Sequence, residues 1–139
     1  MSAPQILVIE DNPGDVQLLR HSLNLLGEPY ELIVLRDGQA ALAFIDGQRS
    51  GKFTEPCVIV LDLHIPKHDG MAILRAIRLD PVMSHISVVV LTSMADPKDQ
   101  IEVSRLGAHF SEKPMDLADF QTLAGFILDL CKRHLEAIA

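Results

Sequence analysis

The residues best equipped for chemistry are Glu10-Asp11, Asp62, the Thr92-Ser93 pair and Lys113, and each lies just past a short run of branched apolar side chains. Glu10-Asp11 follows Gln5–Ile9, Asp62 follows Cys57–Leu61, Thr92-Ser93 follows Ser87–Leu91, and Glu112-Lys113-Pro114 lies beyond Ala108–Phe110. A carboxylate ending a buried apolar run is costly to desolvate unless it is paired or metal-bound. Three carboxylates against one lysine carry a local charge of about −2, which raises carboxyl pKa values unless a cation enters. A hard divalent cation on oxygen ligands relieves the repulsion, and Mg²⁺ suits because it keeps several waters. A carboxylate beside Mg²⁺, a lysine and a hydroxyl is a set for phosphoryl transfer. The cations neutralise the phosphoryl oxygens and the carboxylate is the nucleophile.

These residues can meet only if the apolar runs lie side by side. A fifth run, Tyr30–Leu35, is followed by Arg36-Asp37-Gly38, which reads as a plain turn. Between the runs the apolar spacing is helical: Val16, Leu19, Leu23 and Leu26; Ala40, Ala41, Phe44 and Ile45; Met71, Leu74, Ala76 and Ile77; Ile101, Val103 and Leu106; then a long segment from Leu117 towards Ile138. Five alternations of strand and helix predict an α/β domain with a parallel sheet covered on both faces. Val58–Leu61 and Val88–Leu91 are continuously apolar, as strands buried on both faces should be. Asn12-Pro13 is a helix start. Gly27, Gly47 and Gly107 stand where helices should stop, and Gly47–Pro56 is the longest expected loop. In such a sheet ligands bind beyond the carboxyl ends of the strands, where the acids and the lysine fall.

Composition excludes several partners. With 12 Lys and Arg against 19 Asp and Glu, the 139-residue chain has a net charge of −7, which argues against nucleic acid and anionic membranes. The apolar runs are too short to span a bilayer, and Met1-Ser2-Ala3-Pro4 has no signal-peptide character. The expected location is the cytoplasm, with Cys57 and Cys131 as separate buried thiols.

Four blocks, in order and at the right spacing, make the chain resemble a response-regulator receiver domain of two-component signalling. They are Ile6-Leu7-Val8-Ile9-Glu10-Asp11-Asn12, Leu61-Asp62-Leu63-His64-Ile65-Pro66-Lys67-His68-Asp69-Gly70, Val90-Leu91-Thr92-Ser93, and Gly107-Ala108-His109-Phe110-Ser111-Glu112-Lys113-Pro114. The resemblance implies a doubly wound, flavodoxin-like (βα)5 fold with strand order 2-1-3-4-5; because it covers nearly the whole chain, a single receiver domain is expected over residues 1–139, with no output domain. It implies that Asp62 accepts the phosphoryl group and that Asp11 and Asp62 ligate Mg²⁺ directly. Glu10 would act through water, and the backbone carbonyl of His64 would be a further ligand. Thr92 and Lys113 would hold the phosphoryl group, Thr92 and Phe110 would form the switch, and the Lys113–Pro114 bond would be cis. The family donor is a sensor histidine kinase, and the family chemistry is a phospho-acceptor switch with intrinsic autodephosphorylation only, rather than an enzyme. Asn12-Pro13-Gly14-Asp15, the loop at Gly47–Pro56 and Leu63-His64-Ile65-Pro66-Lys67 resemble the small regulators paired with phytochrome-type kinases.

Each residue alone has an ordinary role: Asp62 as a strand-end cap, Glu10-Asp11 as an acidic pair at a helix start, Thr92 as an N-cap, Lys113-Pro114 as loop. Their joint register carries the reading. A haloacid-dehalogenase-type phosphatase needs a second Asp two residues after the nucleophile, where this chain has His64. A phosphorylation-independent pseudo-receiver usually lacks one of the five pocket residues, and all five stand here. His64, His68, His85, His109 and His134 show no HExxH-type spacing, and their imidazoles are expected to bind no metal. On the last helix the apolar residues from Leu117 to Ile138, with Phe126, cover an arc of about 200°, more than one sheet face needs. That surplus predicts a homodimer through the last helix and fifth strand. The downstream target is a separate, unidentified protein.

Overall fold

All five apolar runs form strands, and the stretches between them form helices. The structure, a computed structural model, describes residues 3–51, 54–67, 69–94 and 96–138. In chain order the elements are β1 (Gln5–Ile9), α1 (Pro13–Leu25), β2 (Glu31–Leu35), α2 (Gly38–Arg49), β3 (Val58–Asp62), α3 (Gly70–Leu79), β4 (Val88–Thr92), α4 (Pro97–Arg105), β5 (His109–Glu112) and α5 (Leu117–Ile138). The strands are all parallel, in the order β2-β1-β3-β4-β5, the flavodoxin-like arrangement. Among the described residues no helix is long and apolar enough to cross a membrane.

Strand geometry divides the core in two, because successive side chains point to opposite faces. Leu7, Ile9, Ile59, Leu61, Val88 and Val90 pack under α2, α3 and α4. Ile6, Val8, Val58, Val60, Val89 and Leu91 pack under α1 and α5. Both faces of the three central strands are therefore dry, which accounts for their unbroken apolar sequence.

Local chemistry sets the helix ends. Asn12 caps α1, its side chain accepting from Gly14 N–H at 2.9 Å and Asp15 N–H at 3.3 Å, with Pro13 in the first turn. Gly27 and Gly107 end α1 and α4 with positive φ. Two expectations need correction. Asp37-Gly38 is no free turn: Asp37 is the N-cap of α2, accepting from Ala40 N–H at 2.8 Å. Gly47 does not stop α2, which runs on to Arg49; a positive φ comes at Gly51. Gly47 is buried inside α2.

The cysteines also differ from expectation. Cys57 and Cys131 are joined in a disulfide, with Cα atoms 4.8 Å apart. They are 74 residues apart in sequence, but α5 lies over the sheet face from which Cys57 projects, and both belong to the same core cluster. On α5 the covered stripe is Phe120, Leu123, Ala124, Ile127, Leu128, Leu130 and Cys131, while Leu117, Phe126, Leu135 and Ile138 reach solvent.

Asp80 ties the lower part of the fold together. It is wholly buried and accepts from Arg49 Nε at 2.8 Å, Val82 N–H at 2.9 Å and Met83 N–H at 3.0 Å. Burial pushes its pKa up, but these donors outweigh it and hold the carboxyl below its ordinary value. Asp80→Ala should leave two backbone donors unpartnered and cost about 2–3 kcal/mol, measured by denaturant unfolding. A change under about 0.5 kcal/mol would mean that water replaces the carboxylate there.

Candidate functional site

Parallel strands all end on the same edge, and the backbone ladder extends past the strands into the residues of interest. Glu10 N–H donates to Leu35 O at 2.9 Å, Leu63 N–H to Leu91 O at 3.1 Å, and Lys113 N–H to Thr92 O at 2.9 Å. Glu10 and Lys113 are thus held by the sheet, although they lie outside its strands. Asp62 and Thr92 are the last residues of β3 and β4.

Lys113 stands at the centre. Its Nζ lies 2.7 Å from Glu10 Oε1, 2.9 Å from Asp15 Oδ2 and 3.1 Å from Asp62 Oδ2. Glu10 and Asp62 are only 5% and 4% exposed. The other Asp62 oxygen accepts from His64 N–H at 3.0 Å. Asp11 is exposed, and one carboxylate oxygen from each of Glu10, Asp11 and Asp62 lies within 4.8 Å of the others.

The electrostatics divide the buried pair. Burial, followed by a hydrogen bond with Asp62, pushes the Glu10 carboxyl up to about 8. Burial also acts upward on Asp62, but Glu10, the His64 N–H and Lys113 outweigh it and hold Asp62 below the usual carboxylate range. Without a cation these opposite shifts favour a proton on Glu10 over one on Asp62. Burial lowers the Lys113 pKa, and its three carboxylate partners overcome this and raise it. A hard-oxygen cluster with surplus negative charge, shielded from water and already forced to hold a proton, has the donor set that fits Mg²⁺.

The remaining expected residues are placed as follows. The Thr92 hydroxyl is wholly buried and turned to its own loop, donating to Met94 O at 3.0 Å and accepting from Met94 N–H at 3.2 Å. It is not an N-cap; Asp96 caps α4. Phe110 is half-buried against the α2–α4 core. His64 is exposed beside Asp62, and His68 lies outside the described residues. The Lys113–Pro114 bond is trans, not cis, in keeping with the general preference of X-Pro bonds. The β3–α3 loop is tightly fitted: a Cβ on Gly70 would sit 2.5 Å from Leu63 O, and Gly38 N–H donates to Pro66 O at 3.0 Å.

Asp15 was not anticipated. An acid in the first turn of a helix has an ordinary role there, and only α1's position over the sheet edge brings it to Lys113. Spacing gave no signal for it, because the neighbouring acid Asp11 lies outside the helix that Pro13 begins.

The family model for the response regulator receiver domain matches residues 6–124. The chain is 40% identical over 99 residues to response regulator Rcp1 of Synechocystis sp., covering 69% of this chain and 66% of Rcp1. It is 36% identical over 117 residues to response regulator PleD of Caulobacter vibrioides, covering 84% of this chain but only 24% of PleD. The chain thus spans under two thirds of the length of these relatives. The crystal structure of the Mn²⁺-bound form of Rcp1 superposes with a TM-score of 0.78 at 35% identity, covering 87% of this chain and 88% of that one. The phosphorylated cyanobacterial phytochrome response regulator RcpA gives 0.81 at 28% identity, covering 91% and 95%. The bacteriophytochrome response regulator AtBRR gives 0.73 at 31% identity, covering 94% and 95%.

The Glu10 proton has a measurable consequence. The folded metal-free chain keeps a proton on Glu10 that the unfolded chain releases near its ordinary value of 4.5. This contribution to stability is fully present below 4.5 and is lost as pH rises through about 8. Asp62 runs the other way, its contribution being lost as pH falls through its lowered folded value, so it lies outside this window. Unfolding in a chelating buffer from about pH 5 to 9 should show a steeper loss of stability in the wild type than in Glu10→Gln. Parallel curves for the two proteins would refute the Glu10 proton.

Proposed function

The chain belongs to the response-regulator receiver domain family of two-component signalling, and from that premise we propose that it is a phosphorylation-controlled switch charged on Asp62 by a sensor histidine kinase. The observation carrying the proposal is the setting of Asp62: buried at the carboxyl end of β3, one oxygen held by His64 N–H, the other by Lys113, with Glu10 and Asp11 alongside.

Asp11 and Asp62 would hold Mg²⁺ directly, Glu10 through water, and the His64 backbone carbonyl would complete the protein ligands. The ion supplies charge neutralisation at the phosphoryl oxygens. The chain's own residues do the rest. A carboxylate oxygen of Asp62 attacks phosphorus, an O–P bond forms, and the P–N bond to the donor histidine breaks. Its lowered pKa keeps that carboxylate ionised and nucleophilic. Lys113 offers its ammonium to the arriving group without itself losing a proton. Water later cleaves the acyl phosphate, so the domain acts as a timed switch rather than as an enzyme.

Phosphorylation adds about −1.5 to −2 charge, with new acceptor oxygens, beside a buried hydroxyl that is now spent on Met94. We assign Thr92 the role of reporting this charge, by exchanging Met94 O for a phosphoryl oxygen. That exchange pulls on the β4–α4 loop, and Phe110, already packed on the neighbouring core, moves inward into the space it frees. The face formed by α4, β5 and α5 is then remodelled for a separate partner protein. The phytochrome-associated relatives make a phytochrome-type kinase the favoured donor. The exposed Met115 and Phe126 beside β5 favour this same face as a homodimer surface.

Incubation with Mg²⁺ and acetyl phosphate should give a single phosphoryl adduct by intact mass, absent from Asp62→Asn. No Asp62-dependent adduct, from either this donor or a phytochrome-type kinase, refutes the proposal. Thr92→Ala should still be labelled but should lose most of the conformational response. Dimerisation at micromolar concentration, seen by light scattering, should weaken in Phe126→Glu; a chain that stays monomeric before and after phosphorylation removes the dimer surface.

A further inference from the structure

We propose that the opposite edge of the sheet carries a second cation site, a Zn²⁺ site built from Glu55, His85 and His134. The three residues are distant in sequence and meet only in the fold. Glu55 lies three residues before the start of β3, His85 three residues before the start of β4, and His134 on α5 where it passes this amino-terminal edge. Glu55 Oε1 is 2.7 Å from His85 Nε2 and 3.2 Å from His134 Nε2. One ligand atom from each residue lies within 4.8 Å of the others. The two imidazoles are stacked, with centroids 5.7 Å apart and planes 19° from parallel, so both present Nε2 to the same carboxylate.

Donor type and spacing select the ion. Two imidazole nitrogens and a carboxylate suit Zn²⁺, which takes such ligands at about 2.0–2.1 Å in a tetrahedron. Tetrahedral ligands at that radius stand about 3.3 Å apart, close to the 2.7 and 3.2 Å that separate the Glu55 carboxylate from the two imidazoles, and all three ligand atoms already lie within 4.8 Å of one another. Mg²⁺ prefers oxygen ligands and has little reason to bind here. His85 and Glu55 keep half and about a third of their side chains exposed, which leaves an entry path and room for a water as fourth ligand, whereas the His134 side chain is only 8% exposed.

The scaffold is fixed in advance. His134 lies one helical turn beyond Cys131, on the same face of α5, and Cys131 is bonded to Cys57, two residues after Glu55. The strands behind Glu55 and His85 are neighbours in the sheet, with Ile59 opposite Val88. An ion here would join the lead-ins of β3 and β4 to the end of α5, on the order of 20 Å from Asp62 along β3. It would be a second site, separate in position and in metal preference from the carboxylate pocket.

Zn²⁺ should be titrated into the full chain in non-reducing buffer with excess Mg²⁺, which occupies the carboxylate pocket. Calorimetry should give one equivalent bound, weakened more than about tenfold in His85→Ala and in His134→Ala, with acetyl-phosphate labelling of Asp62 retained in both. In long-range ¹⁵N spectra of wild type, which need no variant to fold, Zn²⁺ should shift the ring nitrogens of His85 and His134. It should leave His21, His64 and His109 in place. No binding in excess Mg²⁺, shifts on the other histidines instead, or undiminished binding in the double variant would each overturn the proposal.

Discussion

The structure is organised around one ammonium group, Lys113, placed among carboxylates that water cannot reach freely. Removing Glu10 and Asp62 from solvent is costly, and a single positive charge does not balance Glu10, Asp15 and Asp62 together. The pocket settles the imbalance by holding a proton on Glu10, so that Asp62 can remain an anion. That arrangement is stable but provisional. In the proposed switch a divalent cation would replace the proton, and a phosphoryl group arriving on Asp62 would engage the ammonium of Lys113. The excess of negative charge favours the cation, and Lys113 is the group that would meet the phosphoryl oxygens.

Such a pocket requires exact placement, and the sheet provides it through backbone rather than side-chain contacts. The ladder bonds at Glu10, Leu63 and Lys113 extend strand register one residue past the strands. Gly70 lets the next helix start against the Leu63 backbone with no room for a Cβ. The central strands are dry on both faces, so they have little freedom to shift under the charges they carry. Thr92 is the exception: its hydroxyl is satisfied only by its own loop, a bond that can be exchanged at small net cost.

Much of this was legible in the sequence because strand runs mark their own ends. Once Gln5–Ile9, Cys57–Leu61, Ser87–Leu91 and Ala108–Phe110 are read as parallel strands, the residues that follow must share an edge, and Glu10, Asp11, Asp62, Thr92 and Lys113 fall on it without a structure. What stayed hidden depends on how helices lie across the sheet. Asp15 reads as a helix-start acid until α1 is docked. Cys57 and Cys131 read as separate apolar thiols until α5 is laid on the face that bears Cys57. Gly47 reads as a stop because its burial inside α2 cannot be seen in one dimension. Glu55, His85 and His134 have no motif spacing at all, since they come from two strand lead-ins and the side of a long helix.

The two edges of the sheet are mechanically connected but not thereby coupled. β3 and β4 begin near Glu55 and His85 and end at Asp62 and Thr92, and α5 spans the same distance on one face. Coupling is a free energy, and an ion at the amino edge can bias the switch only as far as it binds the two switch states differently. Contacts to the strand lead-ins alone would supply no such difference, because the dry core holds β3 and β4 in one place. His134 is the contact that can differ, since α5 borders the face proposed to rearrange. If α5 shifts by even a fraction of an ångström at His134, a tetrahedral ion resists it, and phosphorylation must then weaken the ion by the same factor by which the ion weakens phosphorylation. If α5 stays still, the ion stabilises both states equally and leaves the switch alone. The position of one histidine in the two states therefore decides whether the second edge regulates the first.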